Sequence, residues 1–155
     1  MSAIKSVLLA IDLASRKRDQ AGKVLTQVQQ THQFALDQMA QLESYAGETA
    51  SRWTAAAQVS TTPELMRHHY QFMDRLHHAI GLQKGVLETS DAKVERAKRG
   101  VLETEFRLIS LKQVLKKKQA ELHAVQMRRE QKQMDEFAAQ RGSRISLAQA
   151  GEERL

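Results

Sequence analysis

AGETASRWTAAAQVSTTPEL, residues 46–65, decides the fold because it separates two long lines of regularly spaced apolar residues. It holds the one proline of the chain, Pro63, directly after Thr61 and Thr62. A threonine side chain can cap a helix, proline suits the first helical turn, and an acidic residue such as Glu64 favours the positive end of the helix dipole. The stretch therefore predicts that one helix ends here and a second begins at about Pro63.

Apolar side chains recur in steps of three and four residues on both sides of this stretch. This is the heptad repeat, abcdefg, whose a and d positions form the contact between the helices of a coiled coil. We call each line of a and d residues a seam. The first seam runs from Ile4 to Ala46, and the second runs from Met66 to Val125.

Two long helices joined by a short turn predict an all-α fold, an antiparallel coiled-coil hairpin that forms a single domain over residues 1–141. Gly142 is a residue type that commonly ends helices, and we expect the polar residues 142–155 to be a disordered tail. The predicted boundaries are about 2–55 for the first helix, 56–62 for the turn and 63–141 for the second helix.

The polar seam residues predict a register for the hairpin. If His32 lies opposite Gln83, then Met39 lies opposite Leu76, and every a position meets a d position. A matched polar layer can fix the register of a coiled coil, although a slip of seven residues would also align a with d.

In this register the second helix extends about 28 residues beyond the first, roughly 40 Å at the rise of an α-helix. Leu115, Leu122 and Val125 would then continue the seam with no partner inside the chain. Because burying each such side chain is worth about 1.5–3 kcal/mol, a partner protein is the expected cover. A frayed helix or self-association are the alternatives.

Large side chains also flank the seams near the turn. Tyr45 and Phe72 both occupy g positions, and the register places them close together across the hairpin. Two helices cannot bury a flanking aromatic pair completely, so an exposed apolar surface is expected, which is typical of a binding site. Aromatic rings packed over their own seam are the alternative. We call the residues predicted for this surface the turn-proximal patch: Gln38, Leu42, Tyr45, Phe72, Leu76 and Ala79.

Charge and composition limit the possible functions. The formal net charge is +6, and residues 91–132 hold twelve Lys and Arg against six Asp and Glu, which favours an acidic partner. There is no cysteine, which excludes disulfides and thiolate metal sites. The apolar run 7–11 is too short for a signal peptide, and no run approaches a membrane span, so we expect a soluble protein.

No pattern in the sequence predicts catalysis, a metal or a cofactor. The histidine pairs 68–69 and 77–78 lack the i, i+4 spacing of helical metal ligands. A two-helix rod offers no concave pocket, and no nucleophile and base stand in a recognisable arrangement. The basic run 116–132 has no interleaved aromatic residue, so a solvated face or an acidic protein surface is favoured over nucleic acid.

Three stretches resemble a known family: residues 38–45, QFMDRLHHAI at 71–80, and QKQMDEFAAQR at 131–141. Together with a hairpin of about this length, they are similar to FliJ, the small component of the bacterial flagellar type III export apparatus. The resemblance is collinear over most of the chain. Outside these stretches it is generic coiled coil.

The resemblance implies a cytoplasmic, non-catalytic stalk at the inner membrane, similar in fold to the central stalk of rotary ATPases. Its implied partners are the hexameric export ATPase, the cytoplasmic domain of the membrane export gate, and export chaperones that it escorts. The gate-binding positions of the family match the turn-proximal patch, although Thr49 and Gln83 beside it depart from the family pattern. The ATPase would meet the basic second helix at Leu115, Leu122 and Val125.

Other functions fit the same architecture. One is the corresponding stalk of a virulence type III secretion system, which the MDEF sequence at 134–137 disfavours. Another is a basic coiled coil that binds nucleic acid, for which binding would fall steeply with salt. A third is a general chaperone, which would bind unfolded chains without selectivity.

Overall fold

A computed structural model describes residues 2–153, and two helices account for nearly all of them. Helix α1 spans Ser2–Val59 and helix α2 spans Pro63–Glu153. Residues 60–62 connect them, and no strand occurs within the described part of the chain. The predicted all-α fold with two long helices is confirmed.

Thr62 begins α2 in the predicted way. Its hydroxyl oxygen accepts a hydrogen bond from the backbone N–H of Leu65 at 3.3 Å, and its carbonyl accepts one from the N–H of Met66 at 3.0 Å. Pro63 then occupies the first helical position, where its missing N–H costs no helical hydrogen bond. Helix α1 continues to Val59, past the predicted end near residue 55, because alanines 55–57 are strong helix formers.

The predicted end of α2 at residue 141 differs from the structure. The helix continues through Gly142 to Glu153. No glycine among the described residues has a positive φ angle, so Gly142 does not adopt the left-handed conformation of a helix cap. The segment after Gly142 includes Leu147, Ala148 and Gln149, which favour a helix. It contains no proline that would end the helix.

The chain divides into two compact units, Ala14–Arg107 and a second that comprises Met1–Leu13 and Leu108–Leu155. A single hairpin domain over 1–141 therefore stays a prediction. In the first unit, contacts further along α2 involve residues nearer the beginning of α1, so the two helices are antiparallel. These contacts join Trp53 to His69, Tyr45 to Phe72, Ala35 to Gln83, and His32 to Ser90.

The predicted register is wrong at its polar layer. His32 Nδ1 lies 2.6 Å from Ser90 Oγ, one heptad beyond Gln83, which was expected opposite it. Gln83 instead donates through Nε2 to the backbone carbonyl of Ala35 at 2.8 Å. The reason is the degeneracy of the repeat, because a shift of seven residues again brings a positions to d positions.

Burial confirms the seams at every predicted position except Met66 and Val125, which are exposed. In the Ala14–Arg107 unit the buried apolar side chains all belong to the predicted lines: Ala14, Ala35, Met39, Ala46, Leu76 and Val94. In the other unit Leu108 is buried, and Val7, Ile11 and Leu111 are half-buried at seam spacing. No side chain of described residues has less than 2% exposure, as expected where two helices share one interface.

Candidate partner-binding surface

The turn-proximal patch is built around two aromatic rings. The centroids of Tyr45 and Phe72 are 5.9 Å apart and their planes meet at 85°, the edge-to-face geometry that aromatic pairs prefer. The predicted proximity of these rings is confirmed. Tyr45 remains 50% exposed and Phe72 37% exposed, so the pair presents apolar surface to solvent instead of covering its own seam completely.

Residues of α1, together with Gln83 of α2, form a shallow groove beside this pair. It measures about 360 Å³ and includes Gln38, Leu42 and Tyr45 of the predicted patch. Gln41 and Gln83 complete its lining. The structure thus brings three predicted α1 residues together and joins them to α2 through the contact between Tyr45 and Phe72.

The remaining two patch residues are covered more completely. Leu76 and Ala79 share the helical face of Phe72 at spacings of four and seven residues. Leu76 is only 8% exposed and Ala79 is half-buried, so both mainly support the hairpin. Direct contact with a partner at this site would therefore depend chiefly on Phe72, Tyr45 and the exposed glutamines.

Sequence reasoning missed an aromatic layer closer to the turn. The rings of Trp53 and His69 are stacked with centroids 4.4 Å apart and an interplanar angle of 7°. Trp53 stands seven residues after Ala46, so extending the first seam by one heptad would have identified it. Gln41 and Gln83 were missed as groove residues because polar side chains give no periodic signal.

The buried polar layer has a defined hydrogen-bond pattern. Ser90 Oγ lies 3.0 Å from the carbonyl of Leu87 and donates to it, which leaves an oxygen lone pair for His32. Nδ1 of His32 is then the donor to Ser90. The layer supplies hydrogen-bond partners for the hydroxyl of Ser90, which is only 6% exposed. It also fixes the pairing of α1 with α2 in this unit.

The three residues predicted to continue the second seam without cover do not behave alike. Leu115 and Leu122 are half-buried in the structure, and only Val125 is exposed. The expectation that all three lack intrachain cover is therefore wrong for Leu115 and Leu122. Beyond Val125 every described side chain of α2 is exposed, including the large apolar Met127, Met134 and Phe137.

Candidate metal clusters and membrane-spanning segments are both absent from residues 2–153. Residues 2–153 contain no group of three or more His, Asp or Glu residues arranged to hold a metal ion. Neither described helix has an apolar segment long enough to cross a bilayer. The candidate binding regions of the molecule are therefore two surfaces, the aromatic patch near the turn and the long exposed segment of α2.

Comparison with models of protein families gives a match over most of the chain. The family model described as "Flagellar FliJ protein" matches residues 7–146, which is most of the chain and includes all the residues of the turn-proximal patch. A search among curated proteins found no significant match.

Proposed function

Because the chain belongs to the flagellar FliJ family, we propose that it is a non-catalytic coupling protein that links the export ATPase ring to the membrane export gate. Membership implies a role in flagellar protein export. The observation that carries the finer proposal is the exposed edge-to-face pair of Tyr45 and Phe72, an apolar surface held at a fixed place on the hairpin.

The turn-proximal patch is the proposed gate-binding surface. Few residues usually dominate the energy of an interface, and they are commonly aromatic side chains near its centre. Phe72 and Tyr45 fit that role because their rings orient one another before a partner arrives. Gln38 and Leu42 extend the surface along α1, and Leu76 and Ala79 support it from α2.

The proposed ATPase-binding segment lies on α2. It contains Val125 together with Leu115 and Leu122, and the exposure of Val125 supports it most directly. Basic side chains occur throughout this part of the chain, including Lys116 and Lys117, and they suit an acidic protein surface. The chain would bind inside the ring of the hexameric ATPase.

The remaining parts of the proposal follow the family. The chain acts in the cytoplasm, reaches the membrane through its partners, and escorts export chaperones to the gate. It needs no cofactor, because coupling two proteins requires contact surfaces and no chemistry of its own. Nucleic acid is not an expected partner.

Titration calorimetry against the cytoplasmic domain of the gate tests the proposed surface. Phe72→Ala should weaken binding tenfold or more, equivalent to about 1.4 kcal/mol, because it removes one of the two anchoring rings. Phe106→Ala is the matched control, since Phe106 lies on the same helix and is 73% exposed outside the patch. Its affinity should stay within about twofold of the original.

The same titration can contradict the proposal. If Phe72→Ala binds as tightly as the original chain, the gate does not use this patch. A large loss for Phe106→Ala would place the contact elsewhere on α2.

A further inference from the structure

A second groove lies between α1 and α2 within the Ala14–Arg107 unit, away from the turn-proximal patch. It measures about 620 Å³, and its floor includes Ala21 and Val24 from α1 and Ala97 and Gly100 from α2. Val24 is 41% exposed. The groove shares no lining residue with the patch, and Val24 precedes Gln38 by fourteen residues, about 21 Å along the helix.

The groove exists because small side chains flank the seam here. Val24 directly precedes Leu25 and Gly100 directly precedes Val101, and both of these seam residues are a positions, so Val24 and Gly100 occupy g positions on the same side of the hairpin. Gly100 has no side chain to cover the space. Apart from its chain neighbours and the backbone of its own helical turn, a β-carbon added at Gly100 would meet no atom within 4 Å, so the space beside it is open.

Cations border this apolar floor. Lys17, Lys93 and Arg96 line the groove, and no acidic residue does. None of the three makes an ion pair within residues 2–153. Cations without partners beside an apolar strip are complementary to a partner that carries carboxylates along an apolar face.

We propose that this groove binds one acidic amphipathic helix of a partner protein. The apolar residues of that helix would pack on Val24 and beside Gly100, where the small side chains permit close approach. Its flanking Asp and Glu residues would pair with Lys17, Lys93 and Arg96. The proposal is independent of gate binding, because the groove and the patch have no residue in common.

Other anionic partners fit the groove less well. Proteins that hold single-stranded nucleic acid stack bases on aromatic side chains, and no aromatic residue lines this groove. Phosphates alone would leave its apolar floor uncovered. A membrane surface cannot enter a concave groove between two helices. A protein helix can both cover the apolar floor and pair with Lys17, Lys93 and Arg96, which form the basic rim of the groove.

Fluorescence anisotropy with a designed peptide tests the proposal on the full chain. The probe is a labelled peptide of about 20 residues, long enough to form a helix, with leucines on one face and glutamates beside them. A second peptide replaces every glutamate with lysine. The glutamate peptide should bind at least about tenfold more tightly than the lysine peptide.

Gly100→Leu should block the groove and weaken binding of the glutamate peptide about tenfold or more. Its melting temperature, measured by circular dichroism, should not fall, because the new side chain enters open space and glycine is a poor helix former. Gly85→Leu is the matched control, with the same open surroundings on the same helix but outside the groove. It should bind the peptide like the original chain.

Two triple variants with reversed charges then test the basic rim. Changing Lys17, Lys93 and Arg96 to Glu should also weaken peptide binding about tenfold or more. The matched control changes Lys23, Lys84 and Arg99 to Glu, which alters the net charge equally but leaves the groove intact. The control should lose much less affinity.

Several results would overturn the proposal. One is failure of the glutamate peptide to bind, or equal binding of the lysine peptide. Another is equal loss in both charge-reversal variants, which would indicate general attraction to a basic chain. A third is that single-stranded DNA or phosphatidylglycerol vesicles bind the chain more tightly than the peptide does, and that the Gly100→Leu variant loses this binding.

Discussion

Two stretches of the same helix α2 differ in what surrounds them. From Leu76 to Leu122, a buried or half-buried residue recurs every three or four positions. From Val125 to Glu153 the helix continues, yet every side chain is exposed. Apolar residues are present in both stretches, so hydrophobic content does not explain the difference.

Two features explain it. The compact unit that contains this stretch includes only the first residues of α1, up to Leu13, so most of the stretch has no helix beside it. The heptad pattern also ends. Stepping along the seam from Val125 leads to Arg129, Lys132 and Glu136, which are charged. The large apolar residues of the exposed stretch, such as Met134 and Phe137, stand at other heptad positions. The helix therefore forms with or without a seam, whereas burial requires apolar residues at a and d. An exposed helix with apolar side chains outside the seam suits contacts with other molecules.

The largest expected effect of a substitution is at the most buried leucine of α2. Leu108 is 4% exposed, and Leu108→Asp should lower the free energy of unfolding by at least about 3 kcal/mol, because it removes packing and buries a carboxylate. Leu147→Asp is the control in the exposed stretch, where the side chain is 71% exposed, and it should change stability by less than about 0.5 kcal/mol.

Urea denaturation followed by circular dichroism measures both variants. Equal destabilisation would mean that residues after Val125 pack as well as the seam does.

A smaller effect is expected where the two stretches meet. Leu115→Ala should lower the unfolding free energy by about 1–2 kcal/mol, since the side chain is half-buried and loses part of its apolar contact. Val125→Ala should cost less than about 0.5 kcal/mol. The midpoints of thermal unfolding report the difference. Should Val125→Ala prove as costly as Leu115→Ala, the paired stretch extends further along α2 than the structure indicates.

Among the substitutions within the paired stretch, the smallest effect belongs to its polar layer. Ser90→Ala removes the contact with His32 and should cost about 1 kcal/mol, the usual net value of a hydrogen bond. A double-mutant cycle with His32→Ala isolates that interaction from the helix propensity of alanine. Additive effects of the two substitutions would show that His32 and Ser90 do not interact in solution.

The sequence predicted the helices and their contact faces well, because both depend on local periodicity. Between Ile4 and Leu122 every predicted seam residue except Met66 is buried or half-buried. Thr62 and Pro63 marked the start of α2 because capping chemistry is local. Tyr45 and Phe72 meet as predicted although the register used to place them was wrong, because both stand at g positions on the same side of the hairpin.

The register and the end of α2 could not be predicted in the same way. Heptads repeat, so periodicity alone cannot choose between His32 opposite Gln83 and His32 opposite Ser90. The choice depends on which polar groups satisfy each other, and Ser90 can accept from His32 while bonding Leu87. Gly142 was interpreted as a cap, but a glycine ends a helix only where the chain then turns. The stacked rings of Trp53 and His69 lay one heptad past the interpreted end of the first seam.

Coupling between the ATPase and the gate can be measured with the three purified components. In sedimentation velocity experiments with separately labelled proteins, the gate domain should sediment with the ATPase hexamer only when this chain is present. Phe72→Ala should release the gate domain while the chain itself stays on the ATPase, because the two proposed contact surfaces are separate. If the gate domain and the ATPase instead displace each other from the chain, it cannot link them, and the proposed coupling function is contradicted.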